Sequence, residues 1–486
     1  MTLKLFRGAA MAAALAAVAG SASALDTLSA GSGVPFTNYQ PSLALTQDFA
    51  LQGVYPANSS GGLEDGADHY DLGMLRTFGF GFNPGQVAAN GTLLSITENS
   101  AMFSVVGTSY GGDGVSTFAA PNLGGATIIG ATAPGGQMAT GGYQVGQALG
   151  SAATSLSVSQ MPAHDHTLPG GGVTGTTGGN APIDQHEPSL TMTYLIATGG
   201  VYPGQGQSVS IGQVAAFAGG FVPLGWRAAD GELLNIADNP TLFGIIGNRY
   251  GGDGVTTFAL PDLRGRTIVG AGTGAGLAPV ALGQAFGSDS TVLTLSQLAP
   301  HDHGLAAGGV TGSTGAGAPI NNDQPSLGLN YLVSISGIFP SRDGSPDADN
   351  QTLGEIIAFA GDYAPSGYAF ADGRLLPVSQ NQALFSLFGT YYGGDGVRTF
   401  ALPDLRGRDI VGTGNGLMIG DTLGAESVSL TEANLPPHAH SFNAVPEPSA
   451  WAVMVIGLGL VGASGRARRR RSGWTMGQAP TQSITA

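Results

Sequence analysis

Six of the eight histidines in this chain form three His-x-His pairs, and a proline shortly precedes each pair. In an extended strand, residues i and i+2 point to the same side, so both imidazoles of a pair can face one ion. Two imidazoles leave a transition-metal site incomplete, whereas three pairs supply the six nitrogens of an octahedral ion. The spacing predicts either a shared site for Zn²⁺ or Fe²⁺, or loops capped by histidine–backbone hydrogen bonds. The residues are His164, His166, His301, His303, His438 and His440.

Four arginines are the main basic side chains in a largely acidic part of the chain: Arg264, Arg266, Arg406 and Arg408. Guanidinium groups bind anionic sugar groups through paired hydrogen bonds, which is the functional interpretation. In the structural interpretation, they pair with Asp262 and Asp404 beside a turn that the neighbouring prolines rigidify. We favour the structural interpretation.

Three aspartates lie in Gly-Gly-Asp-Gly segments: Asp113, Asp253 and Asp395. Carboxylates in glycine-rich loops can bind Ca²⁺. Glycine also supplies left-handed backbone, and aspartate closes turns by hydrogen bonding to nearby N–H groups. We favour the turn.

The sequence offers little for catalysis. The segments His164-Asp165-His166 and His301-Asp302-His303 faintly resemble a hydrolytic metal motif, but the third copy has Ala439 in place of aspartate. The chain has neither a nucleophile motif nor a phosphate loop, and the glycines at 270–276 lack the context of a dinucleotide site. We therefore expect a protein that is not an enzyme, with a metal-dependent hydrolase as a remote alternative.

These residues recur because the chain repeats itself. Tyr-Gly-Gly-Asp-Gly begins at Tyr110, Tyr250 and Tyr392, at spacings of 140 and 142 residues. Leu-Pro-Asp-Leu-Arg-Gly-Arg occupies 260–266 and 402–408, but the first copy, at 120–126, lacks both arginines. Self-similarity of this kind indicates tandem structural units. We place them at 36–166, 184–303 and 322–440, joined by Gly/Thr-rich stretches at 170–180 and 308–317.

Each unit must position these residues with short elements. The patterns predict strands at 267–270, 327–338 and 355–360. They also predict a short helix at 379–388 capped by Ser379, with Asp238 capping the equivalent helix of the second unit. With 82 glycines, long irregular loops are expected. The fold class is therefore α+β, mainly β and irregular, with one short helix in each unit.

The charge is unevenly distributed. Lys4 and Arg7 lie at the N-terminus and five arginines lie at 466–471, so residues 25–444 carry ten basic against 31 acidic side chains and no lysine. Such a surface repels nucleic acid and tolerates divalent cations. The chain has no cysteine, so packing, a metal or assembly must hold an exported fold together.

Both ends have the character of targeting signals. Residues 1–24 have a positive start, an apolar stretch and Ala22-Ser23-Ala24, as in a secretory signal peptide. Near the other end, Pro446, Glu447 and Pro448 precede an apolar run and an arginine cluster, and 472–486 form a tail. Residues 445–471 resemble the PEP-CTERM sorting signal of Gram-negative bacteria. That resemblance implies an exosortase-type sorting protease, transient membrane contact through the tail, and delivery to the cell surface or extracellular matrix.

The repeated motifs, from Ala-Asp-Gly through Tyr-Gly-Gly-Asp-Gly and the heptapeptide to the terminal His pair, resemble the phage tail collar domain, especially its microcystin-dependent protein branch. The resemblance implies three tandem collar-like domains, related to trimeric fibres that bind surface glycans and hold a metal between His pairs. This chain would then form a homotrimer or an intramolecular pseudo-trimer. We expect adhesion or glycan contact, with a purely structural matrix component as the alternative.

Overall fold

The structure is a computed structural model that describes residues 24–51, 55–56, 71–81, 86–132, 142–204, 209–306, 308–340 and 351–443. All but the last residue of the predicted signal peptide lies outside this part of the chain. The predicted sorting residues Pro446, Glu447 and Pro448 and the tail at 472–486 also lie outside it. Within the described ranges, none of the helices has the length and apolar character needed to cross a membrane.

The described residues form short strands and three short helices. The first part of the chain contains β1 (Ala24–Asp26), β2 (Phe36–Thr37), β3 (Ser42–Phe49), β4 (Leu75–Phe78), β5 (Val87–Ala88), β6 (Leu93–Ser95), β7 (Thr117–Ala119), β8 (Thr127–Gly130), β9 (Ala148–Leu149) and β10 (Ala153–Thr154). The second contains β11 (Ile183–Asp184), β12 (Ser189–Ala197), β13 (Gln213–Phe217), β14 (Trp226–Ala228), β15 (Leu233–Asn235), β16 (Thr257–Ala259), β17 (Thr267–Gly270), β18 (Ala285–Phe286) and β19 (Ser290–Thr291).

The third contains β20 (Ile320–Asn321), β21 (Ser326–Ser334), β22 (Glu355–Phe359), β23 (Tyr368–Phe370), β24 (Leu375–Pro377), β25 (Thr399–Ala401), β26 (Asp409–Gly412), β27 (Thr422–Leu423), β28 (Ser427–Val428) and β29 (Ser441–Asn443). The helices are α1 (Ser100–Val106), α2 (Pro240–Ile246) and α3 (Gln382–Phe388). Single 3-10 turns cover Val158–Gln160, Val378–Gln380 and Glu432–Asn434. The predicted class, mainly β and irregular with one short helix per repeat, is confirmed.

One long strand leads each repeat and joins it to its neighbours. The second halves of these strands pair antiparallel with strands of their own repeat: β3 with β4, β12 with β13, and β21 with β22. The first halves pair in parallel with the preceding repeat in cyclic order: β12 with β8, β21 with β17, and β3 with β26. Since β26 belongs to the last repeat and β3 to the first, the three repeats close into a ring.

The centre of the ring is tightly packed. The strands β8, β17 and β26 all contact one another, and β22 pairs with both β13 and β4. These three strands can approach one another closely because each of them ends in a glycine. At Gly270, for example, a Cβ would overlap the Leu405 carbonyl of the next repeat. Phe49, Phe217 and Phe359, one from each repeat, are fully buried in a single hydrophobic cluster.

The helices begin later than the sequence indicated. The N-caps of α2 and α3 are Asn239 and Asn381, so the capping roles predicted for Asp238 and Ser379 were wrong. Ser379 lies instead in a 3-10 turn that precedes α3. The Asn381 side chain donates to the carbonyl of Pro377. It thereby joins the end of β24 to the start of the helix.

Candidate metal centre

Each His-x-His pair lies in an extended segment that pairs with a second segment. His164 bridges to Thr177 and His301 bridges to Thr314, both within the Gly/Thr-rich stretches between repeats. His438, in the last repeat, bridges to Ala30 near the N-terminus. The N-terminal segment therefore pairs with the third His-x-His segment in the way that the stretches between repeats pair with the first two.

The Nδ1 atom of every histidine in the three pairs forms a hydrogen bond with a backbone carbonyl. The first member of each pair bonds within its own segment, to the carbonyl of Pro162, Ala299 or Pro436, at 2.9–3.0 Å. The second member bonds to a carbonyl of another segment, that of Gly312, Leu28 or Gly175, at 2.8–2.9 Å. A carbonyl can only accept, so each Nδ1 carries the proton and each Nε2 carries a lone pair.

The six Nε2 atoms converge at one buried point. The Nε2 of His301 lies 3.2 Å from that of His164 and 3.1 Å from that of His438. The Nε2 atoms of His166, His303 and His440 are buried and have no hydrogen-bond partner among the described residues. All six side chains are at most 5% exposed. Six lone pairs that face one another in the interior repel unless a cation lies between them.

The spacing of these nitrogens fits an octahedral ion. An octahedron's edge is √2 times the distance from its centre to a vertex, so edges of 3.1 and 3.2 Å imply a centre about 2.2 Å from each nitrogen. Zn–N bonds are about 2.0–2.1 Å long. The same radius places opposite nitrogens about 4.4 Å apart, and the ligand atoms lie within 4.8 Å of one another in each of two overlapping groups of four histidines.

Burial also favours the neutral form of five of the six imidazoles. Together with the smaller effect of neighbouring imidazoles, it lowers the pKa of His164 and His440 to about 4 and that of His301 to about 3. The pKa values of His303 and His438 are lowered by the same principal cause. Neutral imidazole is the form that binds a metal. The structure thus brings all six predicted ligands together in one chain, whereas their occupancy by an ion stays a prediction.

A six-imidazole site has a defined chemistry. Catalytic metal sites keep a coordination position open for water or substrate. Six nitrogens would fill an octahedral ion completely and leave no such position. An ion held here would cross-link three segments of the chain, and its role would be structural.

Three threonines support the site, and sequence reasoning missed them. The backbone N–H groups of His166, His303 and His440 donate to Thr174, Thr311 and Thr27, at 2.9–3.0 Å. Aligning Val173-Thr174-Gly175 with Val310-Thr311-Gly312 downstream of the His pairs would have revealed two of them. The third precedes the first repeat and has no such signal.

The Gly-Gly-Asp-Gly aspartates lie apart from the histidines, in exposed turns. Oδ1 of Asp113 accepts from the backbone N–H groups of residues 115, 116 and 117, and Oδ2 accepts from the Ser116 hydroxyl. Asp253 repeats this arrangement, and Asp395 repeats its backbone part. These hydrogen bonds lower the pKa of all three carboxyls. The arrangement favours turn closure over Ca²⁺ binding.

The heptapeptide arginines pair locally. Arg264 donates through Nε and Nη2 to Asp262, at 2.9 Å, and Arg406 does the same to Asp404, at 2.8 Å. The backbone carbonyls of Arg266 and Arg408 accept from Gly130 and Gly270 of the neighbouring strands. These contacts favour a structural role for the motif at the joints between repeats.

One joint also contains a surface pocket. Its volume is about 290 Å³, and it lies between repeats two and three. Tyr331 and Phe370 contribute aromatic surface, and Asn330, Asp372 and Arg406 contribute polar groups. Nη1 of Arg406 has no hydrogen-bond acceptor among the described residues, because Asp404 accepts only from Nε and Nη2.

Comparison with known proteins finds two families. The Phage Tail Collar Domain matches residues 73–128, 212–268 and 354–410, and the PEP-CTERM protein-sorting motif matches residues 444–471. Each collar match covers the centre of one repeat, from just before β4, β13 or β22 to the start of β8, β17 or β26. A search of curated proteins and one of solved structures found no significant match.

Proposed function

Because the chain contains three tandem phage tail collar domains and a C-terminal PEP-CTERM sorting motif, we propose that it is a non-catalytic adhesin of the cell surface. Its body, residues 25–444, combines in one chain the arrangement that trimeric fibres build from three. The convergence of six Nε2 atoms on one buried point is the observation that carries this proposal.

The site favours Fe²⁺ over Zn²⁺. Structural zinc sites are almost always tetrahedral, whereas six imidazoles suit an octahedral ion. The hydrogen bond from each Nδ1 to a carbonyl is the outer-shell support that orients metal-binding imidazoles. The ion would hold the chain together in place of the disulfides that an exported protein without cysteine lacks.

The pocket between repeats two and three is where we place glycan contact. Its volume is at the lower limit for ligand pockets and suits one or two sugar rings. Aromatic rings can cover the apolar face of a sugar. The free Nη1 of Arg406 can donate to a hydroxyl or carboxylate.

The PEP-CTERM motif and the predicted signal peptide support export of this body. A sorting motif of the PEP-CTERM kind implies processing by an exosortase-type protease. We propose cleavage near Pro446, Glu447 and Pro448, after transient membrane contact, and delivery to the outer surface or matrix of a Gram-negative bacterium. The acidic body repels nucleic acid, so we do not expect nucleic acid among its partners.

A glycan array tests the adhesin directly. The body, purified without an affinity His-tag, should retain a restricted set of sugars, and Arg406→Gln should reduce retention at least about tenfold by removing a charge-assisted donor. Arg264→Gln removes the equivalent arginine of repeat two and should leave retention unchanged. If no sugar class is retained, the protein is a purely structural matrix component instead.

A further inference from the structure

A second polar cluster lies in the interior of the ring, where the lead strands begin. Gln40, Glu187 and Gln324 occupy the same position in the three repeats, two residues before the Ser that starts each lead strand. All three are at most 1% exposed. The amide of Gln324 donates to Glu187 Oε1 at 2.7 Å, and the Ser42 hydroxyl donates to Oε2 at 3.4 Å. These contacts cross from one repeat to another.

The first residues of β8, β17 and β26 form the adjoining layer: Thr127, Thr267 and Asp409. Each is paired in register with the serine that starts a neighbouring lead strand. The two threonine hydroxyl oxygens are 3.1 Å apart. Asp409 is fully buried beside Glu187, and its charge adds to burial in raising the pKa of Glu187.

The two acidic residues break the internal symmetry at adjacent places. Two repeats have glutamine where repeat two has Glu187, and two have threonine where repeat three has Asp409. A homotrimer would have to place three identical acids around its axis. A single chain can place one of each, so that two carboxyl groups face a largely neutral polar shell.

Two observations besides acidity indicate that this cluster holds a ligand. No donor group contacts Oδ1 or Oδ2 of the fully buried Asp409 among the described residues, and its hydrogen-bonding contact is the carboxyl of Glu187. Two carboxylates cannot donate to one another, so a proton or a cation must lie between them. The Nε2 group of Gln40, in the same polar cluster as Glu187, is also buried without a hydrogen-bond acceptor among the described residues. Buried polar groups are normally satisfied, and unpaired ones indicate an ion or water. A neighbouring cavity of about 60 Å³ is lined by Thr127 and Thr267, though not by Glu187 or Asp409, and has room for several waters.

We propose that Glu187 and Asp409 bind one calcium ion in the interior of the ring. Carboxylate and hydroxyl oxygens are ligands of hard cations, and Thr127 and Thr267 supply the hydroxyls. Ca²⁺ accepts irregular oxygen shells, whereas Mg²⁺ demands near-ideal octahedral geometry and retains its waters. A water on the ion would accept the N–H of Gln40. The site is distinct from the histidine cluster in residues and in donor chemistry.

The test uses variants that restore the symmetry of the chain. Glu187→Gln installs the residue of repeats one and three, and Asp409→Thr installs that of repeats one and two. The wild-type body and both variants are unfolded, refolded with Ca²⁺ or with chelator, and analysed for calcium and thermal midpoint. We expect one calcium per wild-type chain, almost none in either variant, and a rise of several degrees with Ca²⁺ in the wild type alone.

The double variant separates a lost site from a lost fold. It should fold without calcium, because the buried polar cluster then has no acidic side chain in any of the three repeats. The proposal is overturned if the wild type retains no calcium. It is also overturned if lowering the pH, rather than adding Ca²⁺, raises the midpoint, since the two carboxyls would then share a proton. Glycan retention and transition-metal content are read separately and do not affect this outcome.

Discussion

At the scale of single residues, hydrogen bonds on the outer side of the imidazoles orient the histidine cluster. Each carbonyl on an Nδ1 selects one tautomer and aims the lone pair of Nε2 inward. The alternation in His-x-His predicted that both imidazoles of a pair face the same way. It could not predict the acceptors of the second histidines, because Gly312, Leu28 and Gly175 come from other segments of the chain.

Removing one ligand should remove the ion. Elemental analysis of the purified body should find one transition-metal ion per chain, and His303→Ala should leave almost none. The loss should exceed the roughly 10–100-fold weakening that follows removal of an outer-shell partner. His186→Gln changes a buried histidine outside the cluster and should keep the ion. A metal-free wild type would reduce the pairs to loop caps.

At the scale of elements, the N-terminal segment completes the last repeat. The N–H of Thr27 donates to the carbonyl of His440, and its hydroxyl accepts from the N–H of His440. The sequence predicted a strand at 267–270, and β17 has these same bounds. This strand could be predicted locally because it is a short apolar run that contains β-branched residues. The pairing of the first segment with the last could not be predicted in this way, because 413 residues separate Thr27 from His440.

Deleting residues 25–30 should therefore weaken a site that contains none of them. The deletion removes the Leu28 carbonyl from His303 and the Thr27 hydroxyl from His440. Metal affinity, measured by competition with a chelator, should fall about 10–100-fold. Leu28→Gly is the matched control: the other repeats have glycine there, and only the backbone of Leu28 is used. Unchanged affinity after the deletion would contradict the assigned role of this segment.

At the scale of the whole molecule, the three repeats of one chain are arranged in cyclic order around a common centre. The pairing of β3 with β26 closes the ring, and the second histidine of each pair is supported by a different segment. Sequence repetition predicted three similar units. It did not predict that each lead strand would be shared with the preceding repeat, because parallel pairing across repeats leaves no local pattern in the sequence.

A ring closed within one chain should be stable without association. Light scattering should give the mass of a single body, and the thermal midpoint should not change over a hundredfold range of protein concentration. In an obligate oligomer the midpoint rises with concentration by mass action. A mass of three chains, with a midpoint that depends on concentration, would show that each repeat assembles with its equivalents instead.

The position of β29 also has a mechanical consequence. The strand pairs with β1, and the sorting motif begins one residue after its last residue, Asn443. Tension between a surface and a ligand would enter the body here and first load a two-stranded pair held by few backbone hydrogen bonds. His440 lies three residues further in, so coordinate bonds at the histidine cluster would take the load once that pair peels apart. The weakest and the strongest links of the molecule would then lie in series beside its tether.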